Sequence, residues 1–168
     1  QMCIRDSLYY VSTVGDNYER FTGVLRQAWN RSDLIITTGG LGPTQGDITR
    51  EVIAGLLEEK ITVDVDLKKK LTDFFARLGR EMTENNIKQA TLIPSAVALH
   101  NPLGTAPGWW VEKEGRIIVA LPGPPGELQV MWHSAVFPRL EPKSGAIILS
   151  RTIKTWGLPE ARVDELVT

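Results

Sequence analysis

The chain has 168 residues, 42% of them hydrophobic and 23% charged, with a formal net charge of -1. That length holds one well-buried domain and the start of a second, and the near-neutral charge excludes a nucleic-acid footprint while leaving a nucleotide ligand open. No apolar run reaches membrane-span length, and the single cysteine, Cys3, excludes an internal disulfide, so a soluble protein with no membrane partner, in a reducing cytoplasm, is expected.

Residues 1–7 lack periodicity and read as a non-native leader. Leu8 to Val14 is rich in β-formers and is predicted as a strand. A helix is predicted from Asp16, with Glu19 as its capping-box partner and Phe21, Val24, Leu25 and Ala28 facing inward.

The stretch Ile35 to Arg50, I-I-T-T-G-G-L-G-P-T-Q-G-D-I-T-R, organises the rest. Its apolar start, glycine loop and helical pattern after Asp47 predict strand, turn and helix. Glycines let backbone approach a ligand, and free N–H groups at a helix start favour phosphate. Thr37, Thr38 and Thr44 add hydroxyls. Asp47 either caps the helix or faces the ligand, where a carboxylate beside phosphate calls for a divalent cation such as Mg²⁺, Mn²⁺ or Co²⁺.

Ile48, Val52, Ile53, Leu56 and Leu57 form the buried stripe of that helix. Asp66 is expected to cap a further helix, with Leu67, Leu71, Phe74, Phe75 and Leu78 inward and Gly79 at its end; Lys68 to Lys70 read as a solvated face. Thr83 to Ala90 reads as a short helix whose Asn85, Asn86 and Gln89 suit either ligand contact or plain surface. Two more loops share the character of the first. Asn101 to Gly108 precedes a strand at Trp109 to Glu112, and Leu121 to Glu127 follows a strand at Arg116 to Leu121 and opens a helix with Leu128, Met131, Trp132, Ala135 and Val136 inward. Strands alternating with helices predict a mostly parallel sheet covered on both faces, whose carboxyl-end loops gather in one crevice. Trp109 and Trp110 are candidates to stack a base or pterin, although one must face the core. His100 and His133 lack zinc-site neighbours, and neither a nucleophile elbow nor a Walker lysine is present. Ala146 to Ile153 reads as a strand and Pro159 to Val167 as a helix of a truncated second unit.

The motifs T-G-G-L-G-P-T-x-x-D-I-T at Thr38 to Thr49, N-x-x-G-T-A-P-G at Asn101 to Gly108 and L-P-G-P-P-x-E at Leu121 to Glu127 resemble the N-terminal domain of the CinA (competence/damage-inducible protein A) family, within the wider MoaB/Mog molybdopterin-binding fold. The resemblance covers Leu8 to about Leu140, and Arg151 to Glu160 resembles the start of the KH-like segment that follows, giving expected units 8–141 and 142–168. It implies a three-layer α/β/α domain, a homo-oligomer, and a nucleotide or pterin ligand: metal-dependent ADP-ribose pyrophosphatase activity in CinA proteins, molybdopterin binding and adenylylation in Mog relatives. A domain that only binds its ligand, or only oligomerises, remains an alternative. By matching position, Asp47 and Glu127 would be catalytic, with Asp47 on the metal, and Thr38, Gly39, Gly40, Gly42, Thr44, Thr49, Gly104, Thr105, Gly108 and Gly123 would bind the ligand. Three departures accompany the match. Gly46 stands where many CinA sequences carry a second acid beside Asp47, the family's first strand and loop are missing, and nothing resembles the separate deamidase domain.

Overall fold

The computed structural model describes residues 10–140, and beyond them residues 156, 157, 159, 162, 163 and 165. Helix α1 (Tyr18–Arg31) leads into strand β1 (Leu34–Thr38), the glycine loop and helix α2 (Thr49–Leu57). A small antiparallel pair, β2 (Thr62–Val63) with β3 (Thr91–Leu92), brackets helix α3 (Val65–Arg77) and a 3₁₀ turn at Glu84–Ala90. Strands β4 (Ala96–Leu99), β5 (Gly108–Lys113) and β6 (Arg116–Leu121) follow, then helix α4 (Pro125–Met131), a π turn (Trp132–Val136) and helix α5 (Phe137–Leu140).

The fold is α/β, built on a four-stranded sheet of order β1-β6-β5-β4. Successive β6 side chains point to opposite faces. Ile118 and Ala120 join Leu25, Trp29, Val52 and Ile53 of α1 and α2, while Ile117, Val119 and Leu121 join Met131 and Val136 from beneath α4 and α5. Three layers result, helices over both faces. Their middle is dry: Trp109, Val111, Ile118, Val119, Ala120 and Leu121 are all fully buried.

The sheet is mixed: β1, β4 and β6 run one way, as a mostly parallel sheet requires, and β5 runs against them. Among the described residues only β1 and β6 pair in parallel; β5 runs antiparallel to both β6 and β4. The cause is the link between β5 and β6, where Glu114 (φ 52°) and Gly115 (φ 74°) form a tight turn with positive φ at both positions. A two-residue link of that kind makes a hairpin, whereas parallel neighbours need a crossover of a dozen residues or so.

Local expectations differ in smaller ways. Tyr10 to Val14 forms no strand, and Asn17, not Asp16, caps α1 by accepting from the Arg20 amide at 3.0 Å. In α3 the cap is Asp64, which accepts from Leu67 N at 2.8 Å; Asp66 sits in the first turn, and Leu78 is 55% exposed. Lys68, Lys69 and Lys70 are exposed, and Gly79 takes positive φ (65°) just beyond the helix. The leader 1–7, residues 8 and 9, and the expected strand Ala146–Ile153 lie outside the described residues; of the expected helix Pro159–Val167, Arg162, Val163 and Glu165 are helical.

Candidate functional site

Because β5 opposes both of its neighbours, β4 runs in the same direction as β6 and β1. The loops that leave the carboxyl ends of β1, β4 and β6 therefore meet at one edge of the sheet. They enclose a cleft of about 350 Å³ lined by 39–43 and Asp47 from the first loop, Thr105 and Ala106 from the second, 122–124 and Glu127 from the third, and Gln89 from the 3₁₀ turn.

The first loop turns sharply at Gly39 (φ 92°) and Gly40 (φ 67°), conformations that L side chains rarely adopt. Gly40 also presses on Thr49, whose hydroxyl donates to Gly39 O at 2.8 Å while its amide donates to Gly40 O at 3.1 Å. The turn is thus closed onto the start of α2. Asp47 does not cap that helix, since Ile48 stands at the cap position without a side-chain bond. Its carboxylate instead accepts from Thr44 N at 2.8 Å and Thr44 Oγ1 at 2.6 Å, bracing the loop from inside. Burial alone would raise the Asp47 pKa, but the Thr44 hydroxyl and amide, the Gly42 amide and the Lys88 charge outweigh it and hold it below 3.8. Asp47 is therefore an anion at neutral pH.

In the second loop Asn101 is the anchor. It is 6% exposed; Oδ1 accepts from Leu103 N at 3.1 Å and Gly104 N at 3.0 Å, and Nδ2 donates to Ala106 O at 3.0 Å and to Glu127 Oε2 at 2.6 Å. One buried amide thus ties the second loop to the acid of the third. The floor is held by Arg50, which the motif reading passed over. Its guanidinium, 1% exposed, donates to Leu41 O at 2.7 Å and Pro107 O at 3.1 Å and lies 5.8 Å from the Trp109 ring centre. Burial pushes its pKa down to about 10, which leaves it charged at neutral pH. The signal available was an arginine inside the stripe of a helix, a position that only a hydrogen-bonded charge tolerates.

Of the expected site residues, Gly39, Gly40, Gly42, Asp47, Thr105, Gly123 and Glu127 line the cleft together. The others do not line it. Thr38 donates its hydroxyl to Pro122 O at 3.1 Å, linking first and third loops, and Thr44 is turned onto Asp47. Thr49 is 3% exposed beneath the loop. Gly104 lies against Glu127 and Asn101, and Gly108 lies inside β5, where a Cβ would stand 2.6 Å from Ala120 O. These two glycines serve close packing. Both tryptophans are buried, Trp109 in one core and Trp110 in the other, because β5 is covered on both faces; neither is open to stack a ligand.

Among the described residues no three His, Cys, Asp or Glu side chains gather closely enough to hold a metal unaided. The cleft does offer two carboxylates, Asp47 and Glu127. A hard cation of the Mg²⁺ type commonly takes one or two carboxylates and completes its shell with water and ligand phosphate. The donor chemistry fits such an ion bound jointly with its ligand.

A family model described as "Probable molybdopterin binding domain" matches residues 7–142. The chain belongs to that family. Among relatives of this molybdopterin-binding-type domain, a CinA-like protein of Thermomicrobium roseum is 49% identical over 161 residues, an alignment spanning 95% of this chain and 40% of that protein. A CinA-like protein of Deinococcus deserti is 48% identical over 162 residues, spanning 96% of this chain and 40% of that one. The chain therefore spans about two fifths of the length of these relatives. In three dimensions the domain resembles the crystal structure of CinA, a protein of unknown function, from Thermoplasma acidophilum, with a TM-score of 0.65 and 29% identity over 76% of this chain and 72% of that one.

Proposed function

We propose that the cleft binds the phosphate-bearing end of a nucleotide or pterin and, with a divalent cation, hydrolyses the pyrophosphate of a ligand such as ADP-ribose. The observation that carries the proposal is the meeting of glycine-rich backbone from three strand ends around two carboxylates, Asp47 and Glu127. Backbone amides of the first loop would bind phosphate oxygens and offset charge that develops on them. Asp47, held ionised by its own loop, and Glu127, steadied by Asn101, would hold the cation. When bound, that cation supplies charge neutralisation and an acidified water.

The test is ADP-ribose hydrolysis with Mg²⁺, Mn²⁺ or Co²⁺ and with chelator. Asp47→Asn and Glu127→Gln are each expected to lower turnover by at least about 100-fold. Turnover that survives chelation or both substitutions sinks the catalytic half. One observation favours a second reading, a module that binds without turnover: the Asp47 carboxylate is already engaged by Thr44 N and Oγ1. Saturable binding of ADP-ribose or a pterin without metal-dependent turnover would select that reading.

A further inference from the structure

A chain of side-chain amides runs from the 3₁₀ turn to the wall of the cleft, and its polarity is fixed at one end. The Thr83 backbone N–H, which can only donate, meets the Asn86 side chain at 3.2 Å, so the atom it meets is Oδ1. The other end of Asn86 is then its amide nitrogen, which donates to Gln89 Oε1 at 3.1 Å. Gln89 in turn presents Nε2, which donates to Thr105 Oγ1 at 3.1 Å. Asn86 is 8% and Gln89 2% exposed, so water does not replace these partners. A threonine hydroxyl has one proton. Having accepted from Gln89, Thr105 keeps that proton for another partner, and Thr105 lines the cleft.

We propose that Asn86 and Gln89 are positioning residues that occupy one acceptor lone pair of the Thr105 hydroxyl and so aim its proton at an accepting ligand oxygen in the cleft, such as an ionised phosphate. The proposal rests on the reading of the cleft as a phosphate site. It adds an orienting element that the glycine motifs do not contain: a hydroxyl at this wall whose orientation is set by Gln89 before a ligand arrives.

The test is calorimetric binding of ADP-ribose, with chelator to prevent turnover, between about pH 5 and pH 8. In Gln89→Glu the introduced carboxylate accepts the Thr105 proton at the upper end of that range. Affinity is then expected to fall at least about tenfold relative to the unaltered chain. At the lower end the introduced group, its pKa raised by burial, gains a proton and donates again, so the affinity ratio returns toward one. Taking the ratio against the unaltered chain at each pH removes what the two proteins share and isolates the new group. Thr105→Val is expected to lose affinity across the whole range, and Thr105→Ser, which keeps the hydroxyl, to restore what Thr105→Val loses. A penalty in Gln89→Glu that is flat with pH, or a Thr105→Val chain that binds as well as the unaltered one, overturns the proposal alone. If Gln89→Glu does not fold, the Thr105 pair decides. No ADP-ribose binding by the folded unaltered chain, either with chelator or with Mg²⁺, overturns the phosphate-site reading and this proposal with it.

Discussion

Arg50 ties two loops of the site together from beneath. Its two carbonyl partners, Leu41 O and Pro107 O, belong to different loops, so one side chain fixes their spacing. Arg50→Met keeps much of the volume and strands both carbonyls, with an expected loss of about 2–4 kcal/mol in urea unfolding. Arg50→Lys should recover little of it, because a single ammonium lacks the fork that reaches both. Asp47 carries a different signature. A carboxyl whose pKa is lowered by folding adds stability above its unfolded value, and that stability is lost as pH falls through the folded one. Urea midpoints measured from pH 6 down to pH 2 should therefore drop less steeply for Asp47→Asn than for the parent, with the curves converging in acid; parallel curves would mean that the Thr44 contacts do not form.

At the scale of elements, the hairpin and the buried glycine of β5 control the sheet. Gly108→Ala puts a methyl 2.6 Å from Ala120 O and 2.9 Å from Met131 Cε; the backbone cannot yield as the methionine can, so a loss of about 1–3 kcal/mol is expected in thermal or urea unfolding. The sequence made α1, α2 and α3 legible through their apolar period, β1 and β6 through their apolar runs, and β5 through the small-residue turn before it. Strand direction was less legible. Alternating helices and strands argued for a parallel sheet, yet β5 and β6 are joined only by Glu114 and Gly115, a link too short to cross over. The caps were misplaced by one or two residues, since neighbouring Asp16 and Asn17, or Asp64 and Asp66, are equally good cap types and only geometry separates them. Within the site, the glycine loops and both acids stood out as motifs. Arg50 did not, because its role comes from burial and from partners 9 and 57 residues away; Asn86 and Gln89 were read as amides for ligand contact or plain surface, whereas they are buried and Gln89 meets Thr105, 16 residues away.

For the molecule as a whole, the reversal at β5 is what sends β1, β4 and β6 the same way and brings three loops to one edge. A ligand seated there touches all three and should stabilise the entire domain. At a free concentration 100 times its Kd, ADP-ribose is expected to add about 2.7 kcal/mol, raising the midpoint of thermal unfolding. A midpoint that stays put under that condition would place the ligand elsewhere. The same strand offers a way to watch the domain come apart. Trp109 and Trp110 are neighbours in sequence, yet one indole donates to Thr91 O in the layer beneath α1 and α2, and the other lies with Met131 and Val136 in the opposite layer. Difference fluorescence between the parent chain and Trp109→Phe, or Trp110→Phe, isolates each indole in turn. Adjacent residues thereby become separate optical probes of the two halves of the interior, and coincident or staggered loss of their signals tells whether those halves melt as one.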